Sequence, residues 1–94
     1  MANITHGMNV ESVKSIAKQL TQQASAVEQV IGAVDKLITQ AQTDWLGKDS
    51  AQFQEIWRGT YKQRLVALKD ELNTLSSKAT QNAAKQEEVS AQLG

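Results

Sequence analysis

The sequence predicts an all-α fold: two long amphipathic helices in an antiparallel helix-turn-helix hairpin, pairing with a second hairpin into a four-helix bundle. Three observations predict it. The 94 residues contain no proline and are rich in glutamine and alanine, a composition that favours helix almost everywhere. Apolar residues recur at alternating steps of four and three over two long stretches, which is the period of a helix face and not of a strand. Between the stretches lies a dense cluster of turn and cap residues, Thr43 to Ser50. A chain of this length allows one domain, taken as residues 1–94.

Helix one is expected over about 9–43. Its stripe runs Val13, Ala17, Leu20, Ala24, Val27, Ile31, Val34, Ile38, Ala41 and Trp45, a strict seven-residue repeat. Val10, Ile16, Val30 and Leu37 widen it, and Ser12, Lys14, Ser15, Lys18, Gln22, Ser25, Gln29 and Lys36 occupy the opposite face. Asn9 is an N-cap type of residue, and Glu11 in the first turn suits the positive end of the helix dipole.

The turn is placed at 44–48, around Trp45-Leu46-Gly47, and Asp49 with Gln52 reads as a capping box that opens helix two. Helix two, expected over about 49–85, carries Phe53, Ile56, Trp57, Tyr61, Leu65, Leu68, Leu72, Leu75, Ala79 and Ala83. From Tyr61 to Ala79 the four-three alternation is clean. Before it the steps are all fours, which rotates the stripe slightly. After Ala83 the pattern weakens, so 86–94 is expected as a frayed or disordered tail. Gly32 and Gly59 sit mid-helix, each costing about 1 kcal/mol against alanine. Either is explained by simple tolerance or by close helix approach, and Gly59 is also a place for a kink.

A connection of about five residues makes the helices antiparallel neighbours. At 1.5 Å per residue each would be roughly 50–60 Å long. Both stripes are broader than one helix-helix seam needs, so association with other helices is expected. Residues expected in the core seam or the pairing seam are Leu20, Val27, Ile31, Val34, Ile38, Phe53, Trp57, Tyr61, Leu65, Leu68, Leu72 and Leu75.

Composition excludes several functions. Ten basic and ten acidic side chains give no net field for nucleic acid, and the basic residues are interspersed with acids. Without cysteine there are no disulfides, thiolate metal sites or cysteine nucleophiles. His6, the single histidine, reads as a solvated terminal residue. Glu87-Glu88 and Asp70-Glu71 are adjacent, so on a helix they point apart and make no catalytic pair. A phosphate loop, a Ser-His-Asp set and metal-ligand spacing are all missing, so no enzyme and no cofactor is expected. The first residues have neither a cationic start nor an apolar run, so no signal peptide is expected. No apolar run approaches the roughly 20 residues of a membrane span; contact of the long amphipathic helices with a membrane surface stays open, though no lysine-rich polar face supports it.

Trp45, Leu46 and Gly47 can be read physically before any comparison. Trp45 continues the stripe of helix one, so its indole should close the end of the seam against helix two. Gly47 suits a position where a side chain would clash or φ must be positive. A Trp-x-Gly turn near the middle of two proline-free amphipathic helices, with an aromatic eight residues on at Phe53, resembles the WXG family. These are the small ESAT-like substrates of type VII secretion in Gram-positive bacteria and mycobacteria, and the resemblance covers roughly residues 9 to 85. It implies a secreted helical hairpin, homodimeric or heterodimeric with a similar protein, with a cytoplasmic pool before export. It also implies that Trp45, Leu46 and Gly47 help form a surface read by the type VII secretion ATPase. Many members carry Tyr-x-x-x-Asp/Glu after helix two as an export signal. Here Tyr61 lies inside helix two with Leu65 at the fourth position, and Ala83 with Glu87 is only an echo. The tail signal is therefore either degenerate or supplied by a partner. The alternative role is a helical adaptor that covers an apolar helix of a larger effector or toxin.

Overall fold

The computed structural model describes residues 4–5 and 8–93, with side chains from Met8 to Val89. Its elements in order are β1 (Ile4–Thr5), β2 (Met8–Asn9), α1 (Val10–Asp44), α2 (Lys48–Ile56), a π turn (Trp57–Tyr61) and α3 (Lys62–Leu93). The fold is all-α and of helical-hairpin class, apart from one short antiparallel ladder that pairs Ile4 with Asn9 and Thr5 with Met8. His6, expected to be solvated, lies outside the described residues. Past residue 85, where the weakening pattern suggested a tail, α3 continues as helix to Leu93. Among the described residues no helix is long and apolar enough to cross a membrane.

The α1 start agrees with its sequence. Asn9 Oδ1 accepts the Ser12 backbone N–H at 3.1 Å, satisfying one of the orphan donors of the first turn. The chain divides into two compact units, residues 1–23 with 71–94 and residues 24–70.

In the first unit, Ala17 and Ala83 are buried and Val13, Leu20, Leu72, Ala79 and Gln86 are half-buried. Its cross-helix contacts run Lys14 to Glu87 at 2.7 Å and Ala17 to Ser76 at 2.7 Å, so rising numbers on α1 meet falling numbers on α3. The helices are therefore antiparallel. Small residues fill the seam, and Ser76 sits buried in it as a hydrogen-bonded polar group. The bond from Glu87, with its charge, holds the Lys14 ammonium above its usual range even as desolvation opposes it.

In the second unit, α1 turns through residues 45–47 into α2. Ala24, Ile31, Ile38, Ser50 and Trp57 are buried, and Val27, Val34, Ala41, Leu65 and Val66 are half-buried. Every heptad position read from helix one is thus at least partly covered between Val13 and Ala41. The second arm differs. Lys62 and Lys69 are half-buried while Phe53, Ile56, Tyr61 and Leu68 are exposed. The arm is turned so that only part of its apolar stripe meets α1.

Candidate functional site

The turn is set by backbone conformation. The helix α1 ends with the Trp45 N–H still bonded to the Ala41 carbonyl at 2.9 Å. Gly47 then adopts φ +119°, ψ −177°, a region essentially reserved for glycine. A Cβ built there would meet nothing within 4 Å, so it is torsion and not crowding that demands glycine. Gly47 also occupies the N-cap of α2, with no side-chain cap bond, and its carbonyl accepts the Ala51 N–H at 3.1 Å. The expected capping box of Asp49 and Gln52 is not formed, because the N-cap of α2 is Gly47, two residues before Asp49.

Trp45 meets the second arm as its place in the stripe suggests. Its ring lies 5.5 Å from Phe53, centroid to centroid, at a tilt of 44°, a favourable aromatic contact. It is nevertheless 46% exposed, and Leu46 beside it is 79% exposed. The tip of the second unit therefore presents an indole and a leucine to solvent.

A second feature begins at this tip. On α1 at about 100° per residue, Asp35 falls on one side of the Ile31–Ile38 seam line, and Val30 and Leu37 fall on the other. On the second arm, Lys62 stands on Asp35's side, with its Nζ 2.8 Å from Asp35 Oδ2. Phe53, Ile56, Tyr61 and Leu68 fall opposite Lys62, and so share a flank with Val30 and Leu37. All six are exposed. On the α1 side this flank consists mainly of Ala26, Val30, Ala33 and Leu37, with Asp44 one heptad beyond Leu37, while Glu28, Asp35 and Lys36 lie on the other side. One flank of the unit is charged and clamped, and the other is mainly apolar and exposed, with Asp44 at its α1 end and the Arg64 guanidinium 5.8 Å from the centroid of the Tyr61 ring. Contiguous exposed apolar surface of this kind marks interaction sites.

The clamp has three members. Trp57, buried, donates its Nε1–H to Asp35 Oδ1 at 2.9 Å, and Lys62 donates to Oδ2. The Lys62 bond, then the Trp57 bond, hold the Asp35 carboxyl below the usual aspartate range, against the opposing effect of desolvation. Among the described residues, no cluster of three or more His, Cys, Asp or Glu is placed to hold a metal ion.

Of the residues expected in a core or pairing seam, Ile31, Ile38 and Trp57 are buried, and Leu20, Val27, Val34, Leu65 and Leu72 are half-buried. Phe53, Tyr61, Leu68 and Leu75 are exposed and so stand outside the intrachain core. Asp35, Lys62 and Ser76 were not singled out from the sequence. A charged residue immediately flanking the stripe, as Asp35 flanks Val34, was the available signal.

A comparison with family models matches residues 7–89 to the family described as WXG100, proteins of 100 residues with WXG. No curated protein and no solved structure matches the chain.

Proposed function

The chain belongs to the WXG100 family of small ESAT-like type VII secretion substrates, and from that membership we propose that it is exported as a folded pair of helical hairpins that acts by binding other proteins. Proteins of this family leave by type VII secretion without a signal peptide and typically pair with similar helical proteins. The observation that carries the pairing is the uncovered flank of residues 24–70, where Val30, Leu37, Phe53, Ile56, Tyr61 and Leu68 are exposed together. Covering them removes apolar area from water at about 25 cal/mol per Å².

The partner proposed is a second copy. Between Ala26 and Leu37 the α1 side of the flank bears no charge, so two copies can meet over that stretch in a self-complementary contact without like charges opposed. The exposed Trp45-Leu46-Gly47 turn is proposed as part of the surface that the secretion ATPase reads, and a cytoplasmic pool precedes export.

Export is tested by comparing culture supernatant with cytosol, with and without the secretion ATPase. The protein should accumulate in the cytosol when the ATPase is missing, and unchanged secretion would refute the reading. Trp45→Ala should fold and pair normally yet fail to leave the cell. Normal export of that variant would refute the role proposed for the turn.

A further inference from the structure

Trp57 and Lys62 are five residues apart, yet both reach one carboxylate, at 2.9 Å on Asp35 Oδ1 and 2.8 Å on Oδ2. On a regular α-helix, residues i and i+5 point about 140° apart, and i+4 is the residue that lies over i. The π turn Trp57–Tyr61, closed by the Lys62 N–H on the Trp57 carbonyl, brings position 62 over position 57. An uninterrupted α-helix would bring Tyr61 there. Such single π turns occur frequently at functional sites.

The apolar pattern favours the uninterrupted register, because it would bury Tyr61 and Leu68 in the seam in place of Lys62 and Lys69. The structure has the reverse: Tyr61 is 53% exposed, Leu68 is exposed, and the two lysines are half-buried. Some contact must oppose self-burial, and the paired bonds to Asp35 span the turn where the two registers diverge.

We infer that Asp35 is a positioning residue for the pairing face: by gathering Trp57 and Lys62 across the π turn, it keeps Tyr61 and Leu68 turned out beside Val30 and Leu37, open to a partner. The inference rests on the pairing proposed above. Asp35 touches no partner in this account and acts through the helix it holds.

The test uses the reactivity of Tyr61, the chain's one tyrosine, towards N-acetylimidazole. It is run in the full chain carrying Leu37→Asp, which charges the flank and blocks pairing without touching the clamp. With Asp35 present, Tyr61 should acetylate readily. Asp35→Ala should slow it by roughly fivefold or more, as a half-exposed ring becomes buried, and Asp35→Glu should restore it. Equal rates with and without Asp35 would overturn the inference. Should Asp35→Ala lose its helical circular dichroism, Asp35→Asn replaces it in the same comparison, since it keeps an acceptor for the indole and loses the ion pair. In the pairing-competent chain, Asp35→Ala should raise the dimer dissociation constant about tenfold, the size of one lost interface anchor. A parent chain that stays monomeric would refute the pairing, while the acetylation rates would still decide the role of Asp35.

Discussion

Thr21 and Ser76, on α1 and α3 of the first unit, lie 2.8 Å apart, hydroxyl to hydroxyl. Ser76 gives its own hydrogen to the Ala17 carbonyl at 2.7 Å, so Thr21 is the donor of the pair. The longer contact from Thr21 to the same carbonyl, at 3.3 Å, is the weaker alternative. The relay spans two helices and places each at a defined position along the other. Ser76→Ala should cost about 1 kcal/mol and Thr21→Val a similar amount. The double variant should cost less than their sum, because either change alone breaks the shared bond. Urea midpoints of the four proteins check this, and simple additivity would contradict it.

Ala83 is fully buried, in a seam of small residues. Ala83→Leu should destabilise by about 1–3 kcal/mol through overpacking, whereas Ala84→Leu, at an exposed neighbour, should change little. Thermal unfolding of the two variants separates them. Equal melting temperatures would mean that the helices are not so closely apposed.

Two glycines should respond in opposite directions. Gly47→Ala forces an alanine into φ +119° and should cost about 1–3 kcal/mol. Gly32→Ala, in mid-helix with open space around its Cβ, should stabilise by up to about 1 kcal/mol. Denaturant unfolding of both variants gives the two signs directly.

Asp35 makes stability depend on pH in a particular direction. Its carboxyl is held below the usual range by Lys62 and then Trp57. A group with a lowered folded pKa lends stability that is fully present above its unfolded value and is lost as pH falls through the folded value. The difference in urea midpoint between the parent and Asp35→Asn should therefore hold steady from about pH 8 to about pH 5 and shrink at more acid pH. A difference that grew on acidification would contradict the assignment.

Helix one was legible in the sequence because its stripe needs no information beyond itself. Ala17, Ala24, Ile31 and Ile38 are buried at the positions that the heptad marks. The second arm was only half legible. Tyr61, Leu68 and Leu75 belong to its stripe by spacing, yet they are exposed while Lys62, Lys69 and Ser76 face the seam. Periodicity locates a stripe wider than one partner helix, but it does not say which part of it the partner covers. That is decided by contacts between distant residues, Asp35 with Lys62 and Thr21 with Ser76. The π turn was hinted at by the run of four-residue steps from Phe53 to Leu65 and by Gly59, though it departs from regular helix over only five residues. The ladder of Ile4–Thr5 with Met8–Asn9 is too short to leave any period-two signal. At the turn, the need for a glycine was readable, whereas that torsion and not crowding sets it, and that Trp45 remains half exposed, were not.

Sedimentation equilibrium of the purified chain, alone and with Leu37→Asp, reads the pairing most directly. The parent should weigh roughly twice its 10.3 kDa at micromolar concentration, and the variant should fall to the mass of a single chain. A parent that weighs 10.3 kDa at every concentration, with its exposed flank still open to water, would contradict the account.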